Sequence, residues 1–167
     1  MNTGTLARAE RLHPSPRILP PRADSQRPHS PGQPQVFETR RAHLNRRACA
    51  QHGGSPQVLL YALTVPGQDP GNDLAEARGL AAAHQLPVAD QIVDILDLVD
   101  ARADNPALRR GYARALRLLA DPASPVHGMV AVSRTAITLA DRPYEDQLLW
   151  HTHHHTGLWL VRNESAI

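Results

Sequence analysis

Side chains able to do chemistry are sparse in this chain, and several of them stand at the ends of short apolar runs. The stretch Val58-Leu59-Leu60-Tyr61-Ala62-Leu63-Thr64-Val65-Pro66-Gly67 reads as a buried strand entering a turn, where many α/β enzymes hold a nucleophile. A second run, Gln91-Ile92-Val93-Asp94, ends on a carboxylate, and a third, Gly128 to Ser133, ends on a hydroxyl followed by Arg134. His151 and His155 stand four apart on a helix-period segment, so their imidazoles share a face and are spaced for zinc. No third ligand accompanies them at a suitable separation, and imidazoles near a helix C-terminus are favoured by its dipole alone. Arg109, Arg110, Arg114 and Arg117 offer phosphate or carboxylate contacts, but set against Leu108, Tyr112, Leu116 and Leu119 they read as the solvent side of an amphipathic helix. VPGQDPGN lacks both the glycine spacing and the lysine of a phosphate-binding loop.

The elements that must position these groups follow from the hydrophobic periods. Gln57 to Val65 is continuous enough to be a strand buried on both faces of a parallel sheet. Asp69-Pro70 opens a helix through Leu86 with Leu74, Ala77, Ala81 and His84 on one face, and Pro87 stops it before a second strand, Val88 to Leu96. Asn105-Pro106 starts another helix, whose core stripe is Leu108, Tyr112, Ala115, Leu116 and Leu119. Gly128 to Ser133 is the third strand, Asp141 to Thr156 a helix closed by Gly157, and Leu158 to Val161 the fourth strand. Trp150 and Trp159 read as core or sheet-cover residues. This order predicts the α/β class: a small open, mostly parallel sheet of four or five strands with helices on both faces.

Charge divides the chain. Residues 1–56 carry nine Arg against three acids and eight of the 15 Pro, whereas residues 57–167 carry nine Arg against 13 acids. The expectation is a disordered Pro/Arg-rich leader over 1–56, with a fragile helix near Thr39 to Ala50, followed by one domain over 57–167. The acidic balance of that domain weighs against a general DNA-coating surface, leaving the Arg-rich tail as the place for weak DNA contact. The single Cys49 excludes an intramolecular disulfide and a cysteine-based zinc site, and fits a reducing cytoplasm. No apolar run approaches the roughly 18 residues that span a bilayer, and the N-terminus lacks the apolar core of a signal peptide, so the chain reads as cytoplasmic without membrane contact.

Taken in order, these segments resemble the catalytic domain of serine recombinases, the resolvases and DNA invertases. The pieces that carry the resemblance are Tyr61-Ala62-Leu63-Thr64-Val65, Ile92-Val93-Asp94, Asn105-Pro106-Ala107-Leu108, Ser133-Arg134-Thr135-Ala136-Ile137 and Leu158 to Glu164, co-linear over residues 57–164. The resemblance implies a resolvase-like fold and a chemistry without metal or cofactor. A serine hydroxyl attacks a DNA phosphodiester while arginines stabilise the charge on the nonbridging oxygens. Carried across position by position, the nucleophile falls on Val65, the first-strand Arg on Leu63 and the Arg at the third helix's start on Asn105. The Asp-Arg-Leu-Gly-Arg element becomes Ser133, Arg134, Thr135, Ala136 and Ile137. Arg134 is thus kept, with Tyr61 and Asp94 as structural companions.

The resemblance therefore implies a vestigial site and a role in interaction or regulation, or a decayed remnant. Family members also continue into a long pairing helix and a DNA-binding domain, whereas this sequence stops at Ile167. Two alternatives stand beside that reading. One is an active strand-exchange enzyme using a shifted hydroxyl, Thr64 or Ser133. Alternation along a strand points Thr64 away from the face of residue 65. The other is a generic ligand-binding module with a crevice beyond the strand ends after Val65 and Ser133.

Overall fold

Four strands, β1 (Gln57–Thr64), β2 (Val88–Ile95), β3 (Val126–Ala131) and β4 (Gly157–Leu160), lie in the order β2-β1-β3-β4, every neighbouring pair parallel. The computed structural model describes residues 32–96, 102 and 104–164. The helices are α1 (Gln33–Gln51), α2 (Gly71–Ala83), α3 (Arg110–Ala120), α4 (Arg134–Ile137) and α5 (Asp141–His154), with a 3-10 turn at Pro106–Leu108 ahead of α3. Among the described residues no helix is long and apolar enough to cross a membrane.

The central strand β1 shows why this sequence makes a two-sided sheet. Val58, Leu60 and Ala62 point into a core shared with Leu74, Ala77 and Ala81 of α2. Leu59 and Tyr61 point the other way, into a core with Tyr112 and Ala115 of α3 and Tyr144 and Leu148 of α5. Alternation thus gives each face of one strand its own helical cover.

The largest departure from expectation lies before β1. Residues 33–51, read from composition as part of a disordered leader, form a 19-residue helix that packs on the domain. Phe37, Leu44 and Ala48 are its buried residues. Phe37 meets Tyr144 edge-on at 5.3 Å, and Ala48 joins the α2-side core. Asn45 Oδ1 accepts the backbone N–H of Leu158 at 2.8 Å, so α1 satisfies a donor of the β4 edge strand. Arg41 makes two bonds to the buried Glu164, 2.7 Å from Nε and 3.1 Å from a terminal nitrogen, and Tyr144 donates to the same carboxylate at 2.8 Å. The expected boundary at residue 56 therefore does not hold for residues 33–51. The leader and its DNA-contacting tail up to residue 31 lie outside the described residues.

Helix ends depart from expectation by identifiable causes. Asp69 accepts the N–H of Gly71 at 2.9 Å, and α2 starts there and ends at Ala83, leaving His84 exposed instead of on the core face. Asn105 Oδ1 accepts the N–H of Ala107 at 3.2 Å, but the turn it caps is 3-10, and α3 starts only at Arg110. That change of phase turns Leu108 outward, 60% exposed, and buries Arg109, expected on the solvent side, to 1%. At the end of α5 the left-handed residue is His155, φ 57°, whereas Gly157, expected to close the helix, already belongs to β4.

Phe37 tests whether α1 is integral. Phe37→Ala is expected to lower the unfolding free energy by about 3–5 kcal/mol, read by denaturant unfolding. An unchanged midpoint would return α1 to the status of an appendage.

Candidate functional site

The chain crosses from β1 to β2 on one side and from β2 over β1 to β3 on the other, so the C-terminal ends of β1 and β3 flank the point where connections diverge. Open α/β sheets leave a crevice there. A cleft of about 240 Å³ occupies this position, lined by Thr64 and Val65 at the end of β1, Ser133 just after β3, Thr135 of α4, and Asp73 and Arg162 beside them. Both hydroxyls considered as shifted nucleophiles thus line the same cleft, and Thr64 shares it with Val65, against the expected alternation, because β1 ends at Thr64. Thr64 Oγ1 donates to the carbonyl of Gln68 at 3.3 Å, and Ser133 Oγ shares a 2.6 Å hydrogen bond with Thr135 Oγ1. Leu63 and Val65, at the positions matched to an arginine and the nucleophile, are half-buried lining residues. Arg162, the cation of the cleft, is held by Glu76 through contacts of 3.1 and 3.0 Å to its two carboxylate oxygens.

Behind the cleft lies a buried polar cluster. Tyr61 donates to Asp94 Oδ2 at 3.0 Å and accepts from Arg109 at 3.2 Å. Asp94 also accepts the backbone N–H groups of Gly111 and Tyr112, each at 2.8 Å, so its carboxylate caps the N-terminus of α3, where the helix dipole favours a negative charge. Gly111 leaves room for this carboxylate, because a Cβ there would lie 2.7 Å from Asp94 Oδ1 and would have to displace it. Arg109 donates further to the carbonyls of Arg102 at 2.9 Å, Ala136 at 2.8 Å and Ile137 at 2.7 Å. Burial raises the Tyr61 hydroxyl well above the ordinary tyrosine range, outweighing the opposing pull of Arg109. It is therefore a neutral donor at physiological pH.

Tyr61 and Asp94, companions by the resemblance, are joined by a hydrogen bond; Arg134 is not brought to them. Its guanidinium bonds to Asp141 Oδ1 at 2.5 Å and to the Leu139 carbonyl at 3.3 Å, and lies over the rings of Tyr144 at 4.9 Å and Phe37 at 5.4 Å. Ile137 is fully buried in the core. Of the matched positions, Leu63, Val65 and Ser133 line the cleft, while Arg134 and Ile137 face inward. Arg109 was missed as a central residue because its phase was counted as if a regular helix ran from Asn105. The Asn-Pro pair was the available signal, since it permits a turn as well as a helix start.

The cluster gives a graded expectation. Arg109→Leu leaves three carbonyls and a tyrosine without their donor in a site that also holds Asp94, and should cost about 3–5 kcal/mol of stability. Tyr61→Phe removes one shared hydroxyl and should cost about 1–3 kcal/mol. Denaturant unfolding reads both, and an Arg109→Leu chain as stable as the parent would contradict the assignment.

His151 and His155 do not come together. His151 is fully buried with Nδ1 2.8 Å from Thr156 Oγ1, whereas His155 faces Arg47 at 2.6 Å. Among the described residues no group of three or more His, Cys, Asp or Glu side chains is placed to hold a metal ion. Trp159 is buried over the sheet and Trp150 is partly buried, stacked on His154 at 4.1 Å. Burial, with a smaller effect of His154, pushes His151 down to about 3. Such an imidazole takes up its proton only on unfolding, so stability falls as pH drops from about 6.5 toward about 3. This residue's share should approach about 1.4 kcal/mol per pH unit within that window. Unfolding measured from about pH 6.5 to about pH 4.5 should show a shallower pH slope for His151→Leu than for the parent; identical slopes would refute it.

No protein-family model matches the chain, and no curated protein does. Among solved structures the chain is similar to the first open reading frame of transposon ISC1904 from Sulfolobus solfataricus P2, at 17% identity and a TM-score of 0.47, over 66% of this chain and 71% of that one. It is also similar to a serine recombinase from Sulfolobus solfataricus, at 17% identity and a TM-score of 0.45, over 65% and 70% of the two chains.

Proposed function

We propose that this chain is a serine-recombinase-like α/β domain whose switch-point cleft does not break DNA and which works by interaction. The observation that carries the reading is the fate of its arginines. Cleavage by a hydroxyl needs cations poised on the nonbridging phosphate oxygens. Arg109 spends its donors on Tyr61 and three backbone carbonyls, Arg134 is turned to Asp141 and two aromatic rings, and Arg162 is held by Glu76. The position matched to the attacking serine is the hydrocarbon Val65.

The competing reading, an active enzyme with Thr64 or Ser133 as nucleophile, has a hydroxyl in the cleft in its favour. Against it, each missing transition-state donor is worth roughly 2.7–4 kcal/mol, and the hydrogen-bond partners of those hydroxyls, the Gln68 carbonyl and Thr135 Oγ1, are not bases of useful strength. Incubation with supercoiled plasmid, followed by denaturing electrophoresis for nicks and covalent protein–DNA adducts, tests the proposal. The expected outcome is neither product. An adduct that disappears on Ser133→Ala or Thr64→Ala would replace this reading with the active one.

A further inference from the structure

A groove of about 480 Å³ runs between α1 and α5, away from the cleft and sharing no residue with it. Leu44 and Leu148 form its buried floor, and Leu149 stands beside them 57% exposed. Its α1 wall carries Arg40, His43 and Arg46, all exposed, on a helix with four Arg against one Glu. The other arginines of α1 have partners. Arg41 turns inward to Glu164 and Arg47 reaches His155. Arg40 crosses to Glu145 at 2.6 Å, which neutralises the acid next to the groove on α5. Arg46 and His43 have no hydrogen-bond or ion-pair partner among the described residues.

We propose that this groove docks an acidic amphipathic helix of a partner protein. Two antiparallel or parallel helices with an apolar seam between them present the ridges and grooves into which a third helix packs. A leucine floor asks for an apolar face, and the uncompensated Arg46 asks for a carboxylate along its edge, with the His43 ring beside it as a further polar contact. Other occupants fit less well. A phosphate backbone would satisfy the cations but leave the exposed Leu149 beside charge. Residues 1–31 of this chain carry five Arg against two acids, so they repel the wall. A second copy related by two-fold symmetry would set the same cations against each other. The inference goes beyond the proposal for the cleft, and the two fail separately: plasmid cleavage says nothing about the groove, and peptide binding says nothing about the cleft.

The test uses the full chain and a fluorescein-labelled synthetic peptide of about 18 residues, long enough to become helical on docking, with Leu at helical spacing and Glu at the remaining positions. A matched peptide with Lys for every Glu and a short DNA duplex serve as the other probes. The Glu peptide should bind, less tightly as salt rises. Arg46→Glu and Leu149→Glu, both at exposed positions, should each weaken it about tenfold or more while leaving the unfolding midpoint unchanged. Arg110→Glu, an equal change of charge on α3, should leave binding as it was. The proposal is overturned by no binding of the Glu peptide, by equal binding of the Lys peptide, or by equal weakening in Arg110→Glu. It is also overturned by DNA binding that Arg46→Glu abolishes, or by self-association that Leu149→Glu removes in the absence of peptide.

Discussion

A guanidinium cannot be taken out of water without acceptors to receive its protons, and Arg109 is almost completely buried. The chain meets that demand by bending around it. The carbonyl of Arg102, the carbonyls of Ala136 and Ile137 at the end of α4, and the Tyr61 hydroxyl on the central strand all converge on one side chain. Through Tyr61 the same cluster reaches Asp94, whose carboxylate fixes where α3 begins. One cation therefore sets the spacing among β1, β2, the start of α3 and α4. The wall of the cleft formed by Ser133 and Thr135 lies immediately before the carbonyls that Arg109 holds, so its shape is a consequence of that cation.

The same economy bears on function. A cation that neutralises a phosphate in a transition state must keep its donors available until substrate arrives, whereas one that holds a fold together has already committed them. Arg109 belongs to the second kind by its hydrogen bonds, and Arg134, although it lies in a segment that resembles a recombinase site, is buried against Asp141 and two aromatic rings. What remains open toward the cleft is a set of hydroxyls, hydrocarbon, the Asp73 carboxylate and Arg162, which pairs with Glu76.

Much of the sheet was legible because continuous apolar runs such as Val58 to Leu63 admit few other readings, and the observed strands start and stop within two residues of expectation. Tyr61 and Asp94 were legible as companions through the family resemblance, and they stand on neighbouring strands joined by a hydrogen bond. Helix α1 was not. Its core contacts are Phe37, Leu44 and Ala48, a sparse face at spacings of seven and four, and the four arginines and flanking prolines outweigh them in any compositional count. Arg109 was hidden for a different reason. A 3-10 turn has a shorter period than an α-helix, so placing one ahead of α3 shifts every side chain in it relative to the stripe that follows. The left-handed residue after α5 was misplaced because glycine is the usual candidate for that conformation, yet His155 adopts it and leaves Gly157 to the strand.

The fold around the cleft depends on the Arg109 guanidinium being committed to the protein. Side-chain nitrogen NMR reads this directly through exchange of the Nε proton with solvent, compared with that of the exposed Arg46, before and after adding a short DNA duplex. The expected result is exchange of Arg109 slower by several orders of magnitude, in keeping with a buried group that opens only with the fold, and no movement of its resonance when DNA is present. Fast exchange in the free protein, with a shift of the Arg109 signal on adding DNA, would show a donor still available to a phosphate and would contradict the account.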